Sequence, residues 1–113
     1  MKCIIVGDDE MSREILQHFC AKIEGVEIVA VCESGIQALA ELEKQDVDLL
    51  FLDIEMPDLT GLELIQTVKN LPQIIFTTSR TEHALEAFEY DVTDYLAKPI
   101  ALPRLIKVIN KAK

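Results

Sequence analysis

The sequence is short of positive charge. Eleven Lys and Arg stand against twenty Asp and Glu among 113 residues, a formal net charge of −9. Phosphate backbones and anionic lipid surfaces repel such a chain, which argues against direct binding to nucleic acid or to membrane. Cysteine is sparse as well: Cys3, Cys20 and Cys32 are odd in number and lack the close pairs of a zinc or redox motif. They read as reduced, buried thiols of a cytoplasmic protein. No apolar run approaches the ~18 residues of a membrane span. The four-residue run Cys3–Val6 runs into acids, so it is not the core of a signal peptide. Repeats, low-complexity tracts and Gly/Ser linkers are also missing, so residues 1–113 read as one domain without an internal boundary.

What is present is a globular composition, half hydrophobic and 27% charged. A domain of this length buries roughly two thirds of the surface its unfolded chain exposes, and it can fold without disulfide or metal. Short apolar runs recur at Cys3–Val6, Ile28–Cys32, Leu49–Leu52, Ile74–Phe76 and Tyr95–Ala97. They are continuous rather than alternating, the pattern of strands buried on both faces of a parallel sheet. Helical periodicity fills the gaps. Met11, Ile15, Leu16, Phe19, Cys20 and Ile23 share one stripe, and Leu102, Leu105, Ile106 and Ile109 another. Ser34-x-x-Gln37, Thr60-x-x-Glu63 and Ser79-x-x-Glu82 each fit a capping box before such a segment, and Pro103 suits the first turn of a last helix. About five strands alternating with about five helices make a doubly wound α/β fold, its sheet parallel and covered on both faces.

In such sheets ligands bind beyond the carboxyl ends of the strands, where strand order reverses. Asp8, Asp9 and Glu10 follow the first strand, Asp53 the third, Thr77 and Thr78 the fourth, and Lys98-Pro99 the fifth. The second strand ends in Cys32 and Glu33 with no comparable group, as an edge strand would. Each residue has a plainer use alone: Asp8 or Asp9 as a helix cap, Asp53 in a turn, Thr78 bonded to backbone, Lys98 in solvent. Independent turn chemistry would not gather them on one rim. Crowded carboxylates call for a cation, and hard oxygen donors favour Mg²⁺ or Mn²⁺. A Lys and a hydroxyl beside it complete a cradle for a phosphoryl group, which an Asp can accept as an acyl phosphate.

On these residues the sequence resembles the receiver domain of bacterial two-component response regulators, the CheY-like family, over essentially its whole length. The resemblance is carried by Asp8-Asp9-Glu10, by Asp53-Ile54-Glu55-Met56-Pro57-Asp58-Leu59-Thr60-Gly61, by Thr78 and by Lys98-Pro99. Residues 84–88 and 94–99 look more narrowly like receivers joined to LytTR-type DNA-binding domains. The resemblance implies a five-stranded parallel sheet in the order 2-1-3-4-5 and a phosphoacceptor, not an enzyme, that assists its own phosphorylation and dephosphorylation. It makes Asp53 the acceptor of a phosphoryl group from a histidine kinase. Asp9, Asp53 and the Glu55 backbone carbonyl would hold Mg²⁺, with Asp8 acting through water. Lys98 would pair with Asp53 and then with a phosphoryl oxygen; Thr78 would bond another, coupled to a moving Tyr95. The output implied is transcription regulation through a LytTR-like domain, which is not expected within 1–113. The alternative is a stand-alone receiver signalling by protein binding.

Gly7 departs from the family, which usually has an apolar side chain there, and Ser79 stands where Ala is commonest. Glu55 and Arg80 are expected to flank the mouth of the site as a surface pair. A mixed face over residues 81–111 suggests a phosphorylation-dependent homodimer, with acids Glu82, Glu86, Glu89, Asp91 and Asp94 and bases Arg104, Lys107 and Lys111. His18 and His83 read as solvated helix residues, and Met11 and Met56 as packing. Two rival classes fit less well. A haloacid dehalogenase-type phosphohydrolase wants a second Asp where Glu55 stands. A nucleotide- or flavin-binding module wants a glycine- or hydroxyl-rich loop in place of Gly7-Asp8-Asp9-Glu10.

Overall fold

In the computed structural model, which describes residues 1–80, 82, 85–86 and 89–113, five strands form one parallel sheet. The strands are β1 (Lys2–Val6), β2 (Glu27–Cys32), β3 (Leu49–Asp53), β4 (Gln73–Thr78) and β5 (Asp94–Ala97). Their order is β2-β1-β3-β4-β5, so the connection direction reverses between β1 and β3. The described helices are α1 (Glu10–Cys20), α2 (Gly35–Lys44), α3 (Gly61–Thr67) and α4 (Leu102–Ala112). Of the helix expected from Ser79 through Phe88, Glu82, Leu85 and Glu86 are helical, while residues 81, 83, 84, 87 and 88, His83 among them, lie outside the described residues.

The strand centres are apolar because both sheet faces are covered. Cys3, Ile5, Phe51, Ile75 and Leu96 face one core, closed by Leu16 and Cys20 of α1 and Leu105 and Ile109 of α4. Ile4, Val6, Leu50, Leu52 and Phe76 face the other, closed by Ala38 of α2 and Leu64 and Ile65 of α3. No helix among the described residues is long and apolar enough to cross a membrane. All three thiols are free and buried, and burial pushes them up to about 11 for Cys3 and Cys32 and about 12 for Cys20. At neutral pH they stay protonated and unreactive.

The capping signals resolve differently. Thr60 and Glu63 form the full reciprocal box. Ser34 accepts from the Gln37 amide, but the Gln37 side chain accepts from the Glu33 amide, one residue before the cap. Pro103 lies in the first turn of α4. Met56 is packed, 4% exposed, whereas Met11 is 69% exposed and so is not core. It sits in the first turn of α1, whose buried residues Leu16 and Cys20 come later in the helix. The same turn places Met11 beside Pro99 and Ile100 in a shallow apolar notch of about 300 Å³.

Candidate functional site

Asp53 closes β3, a strand buried along its whole length, and is itself only 1% exposed. A carboxylate there has little water to stabilise its charge. Burial raises its pKa above the ordinary 3.8, against the opposing pull of Lys98. The Lys98 ammonium arrives from the turn after β5 and donates to Asp53 Oδ2 at 2.6 Å. Oδ1 accepts from the Glu55 amide at 3.1 Å. The Lys98 backbone amide donates to the Thr78 carbonyl, which ties this turn to the end of β4.

Two glycines shape the rest of the pocket wall. A Cβ on Gly7 would lie 3.4 Å from Asp53 Cβ and 3.5 Å from its Oδ2, so the missing side chain leaves that flank of the carboxylate open. A Cβ on Gly61 would lie 2.6 Å from the Asp53 carbonyl oxygen. Only glycine lets α3 start against the end of β3, where the Gly61 amide also donates to the Ile54 carbonyl.

Asp8 and Asp9 stand exposed on the β1 rim beside β3. Asp9 is the N-cap of α1: its Oδ1 accepts from the Met11 amide at 3.1 Å and its Oδ2 from Ser12 Oγ at 2.7 Å. The Ser12 hydroxyl is the first cause of its lowered pKa. The plainer use of Asp9 in the sequence is therefore realised. Among the described residues, no three metal-ligating side chains stand close enough together to hold an ion. The donor chemistry of Asp8, Asp9 and Asp53 fits a hard divalent cation, and each Asp9 oxygen, with one accepted bond, keeps a lone pair.

Thr78 and Tyr95 share a sheet face. Phe76 pairs with Tyr95 and Thr78 with Ala97 across β4 and β5, so Tyr95 is the diagonal neighbour of Thr78 on the side of the second core. The Thr78 hydroxyl, 1% exposed at the residue level, is not directed at Asp53. It stands 2.7 Å from Glu55 Oε2 and 3.0 Å from the Arg80 carbonyl, and accepts from the Arg80 amide. Ser79 meets the same carboxylate, donating its amide and its hydroxyl to Glu55 Oε1, each at 3.1 Å.

The Ser79 hydroxyl, expected to cap the helix after β4, donates its proton to Glu55, which leaves its lone pairs to accept, and residues 81, 83 and 84 of that helix's start lie outside the described residues. One expectation is corrected. Arg80, assigned to Glu55, forms its ion pair with Glu82 at 3.9 Å on the open surface. The reason is reach: backbone turning at Ser79 aims the Arg80 side chain outward, while Glu55 folds back over β4. Part of the mixed face expected to form a dimer is also paired within the chain. Asp94 is buried and binds Arg104 at 2.9 Å and Lys111 at 3.5 Å within the chain. Arg104 also covers the Tyr95 ring at 5.5 Å and donates to the Tyr95 carbonyl. These charges are matched internally because β5 and α4 are adjacent, which the one-dimensional sequence of acids and bases did not reveal. His18 is exposed on α1, as expected.

Residues 3–110 match the family model of the response regulator receiver domain. The chain is 36% identical to the sensory transduction protein LytR of Staphylococcus haemolyticus, spanning 100% of this chain and 45% of that one. It is also 36% identical to the transcriptional regulatory protein BtsR of Escherichia coli, over 100% of this chain and 48% of that one. The chain thus spans about half the length of the curated relatives it matches. Among solved structures, the response regulatory domain of protein mrkE from Klebsiella pneumoniae superposes with a TM-score of 0.89 at 36% identity, covering 99% of this chain and 94% of that one. A parallel sheet with reversal between β1 and β3, a lysine-paired buried aspartate at that reversal and this breadth of similarity lead to one conclusion: the chain belongs to the response regulator receiver domain family.

Proposed function

We propose that Asp53 accepts a phosphoryl group from the phosphohistidine of a histidine kinase and that the gain switches the surface around Thr78 and Tyr95. The observation that carries this reading is the 2.6 Å contact between Lys98 Nζ and an almost fully buried Asp53 carboxylate at the sheet's reversal point. An Asp53 oxygen attacks phosphorus, the phosphorus–nitrogen bond breaks, and the imidazole leaves with the bonding electrons and takes up a proton from solvent. The chain supplies position and charge balance: Lys98 holds the nucleophile and can follow the incoming oxygens. Asp8, Asp9, Asp53 and the Glu55 carbonyl would hold Mg²⁺, which neutralises phosphoryl charge when bound. Residues 1–113 form the receiver, and the output is a LytTR-like DNA-binding domain beyond it. Similarity to relatives called sensory transduction and transcriptional regulatory proteins supports that output.

The deciding experiment is intact mass after incubation with acetyl phosphate and Mg²⁺. One phosphoryl group is expected, and none in Asp53→Asn. Labelling that survives Asp53→Asn would place the acceptor elsewhere.

Metal dependence gives a second expected result. Mg²⁺ should raise the melting temperature by binding the folded chain. Asp9→Ala should lose most of that rise and, separately, lower the metal-free stability by about 1 kcal/mol through loss of the α1 cap. A full Mg²⁺ response in Asp9→Ala, followed by thermal melts, would remove Asp9 from the ligand set.

A further inference from the structure

Glu55 holds the Thr78 hydroxyl that a phosphoryl group on Asp53 would contest. Its carboxylate gathers three donors from the end of β4: the Thr78 hydroxyl at 2.7 Å, and the Ser79 amide and hydroxyl, each at 3.1 Å. It also starts from the residue whose amide holds Asp53 Oδ1. A carboxylate and a phosphoryl group are both planar or tetrahedral arrays of anionic oxygens that accept such bonds. The Thr78 hydroxyl has one proton, and its two acceptors within reach are Glu55 Oε2, the nearer at 2.7 Å, and the Arg80 carbonyl at 3.0 Å. It cannot serve a phosphoryl oxygen on Asp53 at the same time. We propose that the Glu55 carboxylate is an internal stand-in for the phosphoryl group, a latch that holds Thr78 and Ser79 in the resting arrangement and must be displaced for the switch.

This inference rests on the reading of Asp53 as phosphoacceptor and adds a regulatory element to it. Glu55 is held from two sides, by the Asp53–Glu55 backbone contact and by the donors of β4, so its displacement couples phosphorylation of β3 to movement of β4. Thr78 in turn lies diagonally beside Tyr95, whose ring is covered by Arg104. Releasing the latch therefore reaches the surface residue that the switch is to move. The latch lowers the population of the switched state without ligand, and it sets how tightly a phosphoryl group or mimic must bind to win Thr78.

The test is the affinity for beryllium fluoride with Mg²⁺, followed by amide resonances in wild type, Glu55→Ala, Glu55→Gln and Ser79→Ala. Without the latch the mimic has no competitor, so Glu55→Ala should bind roughly tenfold tighter, the equivalent of about one charge-assisted hydrogen bond. Glu55→Gln keeps an acceptor oxygen and should fall between wild type and Glu55→Ala. Ser79→Ala changes no charge and lies on the surface, yet it removes one latch bond and should tighten binding about twofold to threefold. In ligand-free Glu55→Ala, the Ser79 amide should exchange with solvent faster than in wild type. Equal tightening in Glu55→Ala and Glu55→Gln, with Ser79→Ala unchanged, would mean simple charge repulsion and overturn the latch. Unchanged or weaker binding in Glu55→Ala would overturn it as well. Those outcomes leave Asp53 as acceptor intact, whereas wild type that fails to bind the mimic, or binding retained in Asp53→Asn, would defeat both readings.

Discussion

Lys98→Met is expected to lower stability at pH 7 by roughly 2–4 kcal/mol, a fall in melting temperature of about 10 °C or more for a domain of this size. Lys98 is the ammonium in direct contact with a carboxylate that has almost no access to water. Without it, Asp53 must either stay charged in a poorly solvated place or take up a proton. The second route caps the cost. Protonating a group of ordinary pKa 3.8 at pH 7 requires about 4 kcal/mol, at roughly 1.4 kcal/mol per pH unit.

The pH dependence follows from the sign of the shift. Burial already raises the folded pKa of Asp53, and removal of Lys98 raises it further. A carboxyl raised on folding adds stability below its unfolded pKa, and that contribution is lost as pH rises through its folded pKa. The deficit of Lys98→Met against wild type should therefore shrink as pH falls from 7 toward about 4. Chemical denaturation of both proteins across that range gives the difference directly. A deficit independent of pH would show that Lys98 contributes packing and not charge balance. In the same variant, labelling by acetyl phosphate should be strongly slowed, because no ammonium is left to hold the Asp53 carboxylate or to balance the incoming phosphoryl oxygens.

Gly61→Ala is expected to destabilise by about 1–3 kcal/mol and to damage the site as well. The added methyl would meet the Asp53 carbonyl oxygen at 2.6 Å, Ile54 Cα at 3.1 Å and Phe76 Cε1 at 3.2 Å. Two of those neighbours are backbone of β3 and its exit, which cannot swing aside as a side-chain tip can. Either α3 moves away from the sheet or the end of β3 shifts, and the second choice carries the Asp53 carboxylate with it. Melting temperature and beryllium fluoride affinity should therefore fall together. Thr60→Ala, which removes the adjacent cap but leaves Gly61 in place, should cost about 1 kcal/mol with little change in affinity. If Gly61→Ala lost stability while binding the mimic like wild type, the close approach would serve α3 alone and not the position of Asp53.

Strand identity and sheet type were legible in the sequence because burial on both faces leaves a direct imprint, a continuous apolar run. Leu49–Leu52 is the clearest case, and the strand found there ends at Asp53. The strand order follows from the family resemblance and is the order observed. The rim residues were legible for a related reason: chain connectivity alone puts whatever follows a parallel strand at the same end of the sheet. Thus Asp53 and Lys98, 45 positions apart, could be placed on one rim from connectivity, while their pairing came from the family resemblance.

What side chains do within that rim was decided in three dimensions. Asp9 could cap or stand free at the rim, and the cap forms because the Met11 amide and Ser12 hydroxyl are within reach. Glu55 carries a charge that composition assigns to solvent or to Arg80, but the β3–α3 turn folds it toward Thr78 and Ser79. Asp94 reads as one acid of a surface patch until the adjacency of β5 and α4 matches it with Arg104 and Lys111. Periodicity and spacing determine the elements and the end at which their residues gather, because both follow from backbone geometry. Hydrogen-bond partners are chosen among groups brought together by tertiary packing at distances near 3 Å. Only the folded chain fixes those.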